Sequence, residues 1–205
     1  IDMNNLTTFY IVRHGETNQN VKRIIEGHGD TPLNENGEMQ AKLISEKLRH
    51  VQFDLAFSSD LLRAKRTAEI IALEHNLLVE TTRLLRERYY GGVEGQPYTY
   101  FEAYDELIAT LSEAERDTYK YDDTYESNEE MISRIFTFIR ETAVGHPGKT
   151  ILMATHGGVL MHILRHVGYL TYQEKVFVSN TGNMVIETDG SDFFVKEVHG
   201  LKKID

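Results

Sequence analysis

Short apolar runs alternate along the chain with longer segments of helical period. Phe9-Tyr10-Ile11-Val12 is an aromatic and β-branched run that reads as a buried strand, and it stops at Arg13-His14-Gly15. Asn34 to His50 has helical spacing, with Met39, Leu43, Ile44, Leu48 and Val51 on one side as the expected core face. Leu55-Ala56-Phe57 is a second short strand, ending at Ser58-Ser59-Asp60. Leu61 to Glu74 follows as a helix, with Leu62, Ala68, Ile71 and Ala72 as core positions. Leu77 to Val79 is a third strand, and after it comes the Gly-rich stretch Tyr90-Gly91-Gly92-Val93-Glu94-Gly95.

Tyr98 to Arg116 reads as an acidic, aromatic helix that interrupts the strand–helix alternation, so residues about 97–125 are expected to form a lid insertion. Ser127-Asn128-Glu129-Glu130 is a capping box, opening a helix with Ile132, Ile135, Phe136 and Ile139 inward. Thr150 to Ala154 is another buried strand, ending at Thr155-His156-Gly157-Gly158, and a helix follows to about His166. Asn183 to Glu187 and Phe193 to Val198, around Asp189-Gly190, read as a hairpin.

This alternation predicts an α/β fold: a three-layer α/β/α sandwich on a mostly parallel central sheet, in a single domain over residues 1–205. In such sheets ligands bind beyond the carboxyl ends of the strands. His14 and His156 each follow a short apolar strand, and each precedes glycine. If those strands are neighbours, two imidazoles and an arginine converge at one edge.

Composition narrows the chemistry. The chain has no cysteine, so disulfides, thiolate nucleophiles and Cys-based zinc sites are excluded. Its net charge of −10, from 22 Lys+Arg against 32 Asp+Glu, and the lack of a basic stripe argue against a nucleic-acid partner. An anionic ligand must instead be met by a few local arginines: Arg13, Arg63 and the Arg83-Arg86-Arg88 group. No apolar run approaches a membrane span and no leader precedes the first strand, so a cytoplasmic protein without a membrane partner is expected. Met3 reads as the native start, with Ile1-Asp2 left out of the fold.

Each candidate side chain has an ordinary reading when taken singly. Arg63 could pair with Asp60 on a helix face, and Glu87 with its neighbours Arg86 and Arg88. Thr17 and Ser58 suit local backbone caps. His162 and His166 have a spacing that can bind metal but show no acidic partner, and His28, His50, His75, His146 and His199 belong to no constellation.

Together the elements resemble the histidine phosphatase superfamily, in its phosphoglycerate-mutase-like branch. The likeness runs from Phe9 to about Val198 through Arg13-His14-Gly15-Glu16-Thr17, Gly27-x-x-Asp30-x-Pro32-Leu33, Gly37, Arg63-Ala64-x-x-Thr67-Ala68, Leu85-Arg86-Glu87 and His156-Gly157-Gly158. It is unlike the acid-phosphatase and phytase branch, whose first motif continues Arg-x-Pro where this chain has Glu16-Thr17-Asn18. The resemblance implies a phosphatase that needs neither cofactor nor metal and acts on a small phosphorylated metabolite. His14 would be the nucleophile. Arg13 and Arg63 would fork onto phosphoryl oxygens, with His156 as a further donor. Glu87 would serve as acid and then base, a role that calls for a raised pKa. Asn20, Gly27, Tyr90 and Gly157 would line the phosphate or substrate site.

A cofactor-dependent mutase shares this constellation but needs extra cations for a second phosphate. This chain has Tyr98 where mutases carry lysine, Ala114-Glu115 near their later arginine pair, and Gly158 where they favour asparagine. The intervening segment is acidic, with Glu102, Asp105, Glu106, Glu113 and Glu115. Phosphatase is therefore preferred to mutase, and Ile24-Ile25-Glu26-Gly27 with Leu84 to Gly95 lies nearest fructose-2,6-bisphosphatase-like and broad-specificity members. A non-catalytic phospho-ligand or protein-binding relative would have lost a catalytic residue, and none is lost. Glu26 stands where such phosphatases place glutamine. A carboxylate there repels phosphate unless it turns away or pairs with Lys22, Arg23 or a basic substrate group.

Overall fold

The computed structural model describes residues 5–204, so Ile1, Asp2 and Met3 lie outside the described residues, as do the side chains of Glu102 and Asp105. In chain order the elements are β1 (Thr7–Arg13), α1 (Asn18–Lys22), α2 (Glu35–Leu48), β2 (Leu55–Ser59), α3 (Leu62–Leu73) and β3 (Val79–Thr82). There follow α4 (Tyr100–Ala109), α5 (Glu113–Thr118), α6 (Asn128–Gly145), β4 (Thr150–Thr155), α7 (Gly157–His166), β5 (Val176–Thr188) and β6 (Phe193–Lys203). The strands form one sheet in the order β3-β2-β4-β1-β5-β6. The first four run parallel, and β5 and β6 are antiparallel additions at one side. Among the described residues, no helix is long and apolar enough to cross a membrane.

Alternation along the central strands fills both faces. Phe9 and Ile11 of β1, with Ile151 and Met153 of β4, pack against Met131, Ile135 and Ile139 of α6 and Val159 and Ile163 of α7. Val12 and Leu152 point the other way, onto Ile44 and Leu48 of α2 and Ile71 and Ala72 of α3. The expected three layers are therefore present, with β1 and β4 at the centre and buried on both sides.

Several element readings shift. Met39 and Leu43 are 58% and 52% exposed, and α2 instead turns Gly37, Ala41, Ile44, Ser45 and Leu48 inward. Ile44, Leu48 and Val51 of the expected face are buried, and the rest of the inward face is made of small residues, which an apolar count passes over. Leu62 at the start of α3 is likewise exposed, at 46%. Leu77 closes α3 by donating its N–H to Ala72 O, so β3 begins two residues late, at Val79. The segment read as one helix from Tyr98 to Arg116 is two, because Ser112 and Glu115 form a capping box that restarts the chain as α5.

Candidate active site

β1 and β4 are paired in parallel with Arg13 opposite Thr155, and His14 donates its N–H to Thr155 O at 2.9 Å. Both histidines thus leave the sheet at the same level. Their rings stand 5.2 Å apart, centroid to centroid, with their planes at 63°, and both are buried. β2 lies on the other side of β4 and delivers Ser59 and the start of α3, which carries Arg63.

The tautomer of His14 follows from its partner. Nδ1 is 2.7 Å from Gly15 O, and a carbonyl only accepts, so Nδ1 carries the hydrogen and Nε2 keeps its lone pair. Burial lowers this histidine well below its ordinary value, and Arg63 and Arg13 lower it further. Nε2 is therefore unprotonated at neutral pH. His156 is lowered in the same way by burial and by Arg63. Its Nε2 meets Ser59 Oγ at 2.9 Å, while its Nδ1 is buried without a partner among the described residues.

The two arginines are held from behind. Arg13 Nη1 donates to Val178 O, and Gly157 leaves room for its guanidinium, since a Cβ there would lie 3.1 Å from Arg13 Nε. Arg63 is buried and donates from Nη1 to Gly29 O at 2.6 Å and from Nη2 to Gly27 O at 2.7 Å. Its suggested partner Asp60 is taken by Arg86, through two bonds of 2.7 Å. Gly27 presents its carbonyl from a left-handed backbone (φ +52°), with the Glu94 carboxylate where a side chain would be. The Nε of each arginine, like His156 Nδ1, makes no hydrogen bond among the described residues. Two guanidinium donors, and His156 Nδ1 as a third when the Ser59 hydroxyl donates to Nε2, make an anion cradle beside a free imidazole nitrogen.

Glu26 does not face that cradle unpaired. It is 6% exposed and accepts from Thr17 Oγ1 at 2.9 Å, from Asn20 Nδ2 at 2.8 Å and from Thr31 Oγ1, with Arg63 Nε 4.0 Å away. Neither Lys22 nor Arg23 takes part. Consequently Asn20, expected as a phosphate donor, turns its amide to Glu26, while its Oδ1 accepts from Thr17 N and Asn180 Nδ2.

Glu87 sits at the N-terminus of α7. Gly158 N donates to Oε2 at 3.0 Å and Arg88 N to Oε1 at 2.8 Å. A Cβ at residue 158 would lie 2.5 Å from Oε1, so the carboxylate rests directly against the helix end in the space that a side chain there would share. The flanking arginines do not pair with it: Arg86 holds Asp60, and Arg88 donates to Glu126 O and Asn128 Oδ1. Tyr90 packs its ring on Phe101 and Tyr125 under α4, and burial raises its phenol well above 10.0.

Several contributors carry no signal in the sequence. Thr67 Oγ1 accepts from Gly15 N at 3.0 Å, and Asn180 and Thr181 donate to His14 O. His28 Nε2 and Arg134 Nη2 both hold Glu87 O, at 2.9 and 3.0 Å. Of these only Thr67 lies within a recognised motif. Among the described residues, no three His, Asp or Glu side chains cluster as a metal site.

Comparison with known proteins agrees with this geometry. Residues 9–199 match the histidine phosphatase superfamily (branch 1). A broad-specificity phosphatase of Saccharomyces cerevisiae is 31% identical over 208 residues, covering 96% of this chain and 87% of the relative. Phosphoglycerate mutase-like protein 4 of Arabidopsis thaliana is 36% identical over 188 residues, covering 91% and 82%. Among solved structures, a mycobacterial glucosyl-3-phosphoglycerate phosphatase complexed with VO3 superimposes with a TM-score of 0.79 at 25% identity, covering 94% of this chain and 98% of that one. The chain belongs to the histidine phosphatase superfamily, branch 1, and is a phosphatase.

Proposed function

We propose that the chain hydrolyses small phosphomonoesters through a phosphohistidine on His14. The observation that carries this reading is the free Nε2 of His14 beside three buried nitrogens that make no hydrogen bond, with a carboxylate held at the neighbouring helix end. Nε2 attacks phosphorus in line, and the bond to the leaving oxygen breaks as Glu87 supplies its proton. Arg13, Arg63 and His156 donate to the equatorial oxygens as charge shifts onto them. Glu87, now a carboxylate, takes a proton from water. The resulting hydroxide attacks phosphorus, the P–Nε2 bond breaks with its electron pair going back to Nε2, and phosphate leaves with His14 neutral again.

Phosphatase is preferred to mutase because the nearby cations are engaged: Arg86 with Asp60, and Arg88 with Asn128 and Glu126. Tyr98 stands at the pocket near Arg13, Glu26 and Glu87, where a second phosphate would need a cation. We assign substrate selection to residues 97–125, acting as a lid within a single catalytic domain, and we place the reaction in the cytoplasm, on a metabolite rather than on nucleic acid or a membrane.

The test is phosphate release from sugar phosphates, phosphoglycerates, nucleotides and an aryl phosphate, comparing wild type with His14→Ala. Metal-independent turnover by the wild type and its loss in a folded His14→Ala are expected. Interconversion of phosphoglycerates with little phosphate released would replace this reading with the mutase. No release from any compound would favour a binding role.

A further inference from the structure

A closed ring of hydrogen bonds surrounds the Glu87 carboxylate. Its two donors are the backbone N–H groups of Gly158 and Arg88, at 3.0 and 2.8 Å. His162 holds the other side of both donors. Its Nδ1 is 2.8 Å from Gly158 O, and its Nε2 is 3.1 Å from Arg88 Nη2. Nε2 is also 3.1 Å from Asn128 Oδ1, which already accepts from Arg88 Nη2; a carbonyl only accepts and a guanidinium only donates, so the bond from Arg88 closes the ring with a neutral imidazole carrying hydrogen on Nδ1. Arg88 Nη2 also donates to Asn128 Oδ1. Asn128 Nδ2 in turn faces Arg116 O of α5, at 3.3 Å, and the Tyr172 hydroxyl, at 3.4 Å. Burial, together with Arg88, lowers His162 to about 3, which keeps the neutral form through the working range.

We propose that His162 is a positioning residue for Glu87, fixing the α7 donor and the loop donor relative to each other so that the carboxyl faces the leaving oxygen. The proposal rests on Glu87 as the general acid. His162 touches neither His14 nor the cradle nitrogens, so its influence falls on proton transfer and not on capture of phosphorus. The chain Asp117–Tyr172–Asn128–Arg88 also ties this ring to α5, so the placement of that helix bears on the acid as well.

The experiment compares wild type, His162→Leu and Glu87→Gln on glycerol phosphate and on p-nitrophenyl phosphate. The alkoxide of the first needs a proton to depart, and the nitrophenolate of the second does not. The parameter is kcat/KM, which ends with phosphorylation of His14 and excludes the water step common to both. In His162→Leu, a loss of about 10-fold or more on glycerol phosphate is expected, against less than about threefold on the aryl ester, with inhibition by inorganic phosphate unchanged. Glu87→Gln is expected to show the same selectivity, more strongly. An equal loss on both substrates in His162→Leu, or none, while Glu87→Gln stays selective, overturns the positioning role alone. An equal loss in Glu87→Gln overturns the acid role and the proposal with it. Should His162→Leu fail to fold, ¹⁵N NMR of the wild-type histidines decides: hydrogen on Nδ1 of His162 is expected, and the Nε2–H tautomer or an imidazolium at neutral pH contradicts the ring.

Discussion

His14, His156 and His162 are held uncharged first by burial, and in each case a neighbouring arginine adds to the effect. This suits catalysis, because only an unprotonated Nε2 can attack phosphorus, and it has a consequence for stability. In the unfolded chain each histidine titrates near its ordinary value of 6.5, whereas in the folded chain each stays neutral well below it, His162 down to about 3. Below 6.5 the unfolded chain therefore binds protons that the folded chain does not. Stability is full above that pH and falls as the pH drops through it, by up to ~1.4 kcal/mol per pH unit for each histidine. Urea midpoints at successive pH values from neutral to moderately acid should move steadily down. A flat profile would mean that these imidazoles are not held neutral. At this scale the residues legible in the sequence were those sitting in local motifs: Arg13, His14, Arg63, Glu87 and His156. His28, Ser59, Arg134, Asn180 and His162 were not, because each acts on a partner far away in the chain, as Ser59 does on His156 across 97 positions. Glu26 was conspicuous in the sequence, yet its partners Thr17, Asn20 and Thr31 emerge only once the loop folds around it.

Elements bring these residues together by close backbone approach. The first turn of α2 lies against the loop after β1, where a Cβ on Gly37 would be 2.1 Å from Glu16 O and one on Gly15 would be 2.5 Å from Gly37 O. Neither residue has a positive φ, so the requirement is for space alone. Gly37→Ala should displace the loop carrying His14, costing about 1–3 kcal/mol as overpacking and lowering turnover. Leu43→Ala on the exposed face of the same helix should change neither. Denaturation midpoints and kcat measured on both variants check this, and a Gly37→Ala enzyme as stable and active as wild type would contradict the packing. The strands and the hairpin turn at Asp189-Gly190 were readable from β-branched runs and turn chemistry. The inward face of α2 was readable only in part: Ile44 and Leu48 registered, but Gly37, Ala41 and Ser45 carry too little apolar surface to do so. The break between α4 and α5 was written in Ser112 and Glu115, but the aromatic and acidic run on either side concealed it.

For the molecule as a whole, a net charge of −10 surrounds a pocket whose positive charge comes from Arg13 and Arg63. One phosphoryl group can be met locally against that field. A second must approach Tyr98 and an acidic segment, so sugar bisphosphates should show kcat/KM at least about 10-fold below the matching monophosphates, a difference of about 1.4 kcal/mol. Equal or better turnover of bisphosphates would point to a second cation site in the assembled lid. The fold was legible at this level because alternating strands and helices leave few arrangements, whereas the adjacency of β1 and β4, on which convergence of the two His-Gly signals depended, came only with the parallel pairing in the structure. What the segment over residues 97–125, proposed above as a lid, would select was not legible, because it carries aromatic and acidic character without a motif. The proposed mechanism turns on one bond, between phosphorus and Nε2 of His14. Rapid acid-free quenching of turnover on a ³²P-labelled monoester, followed by peptide mapping, tests it directly. The expected result is acid-labile, base-stable label on the peptide containing His14, absent in His14→Ala. Steady turnover with no labelled protein, or with label on another residue, would contradict it.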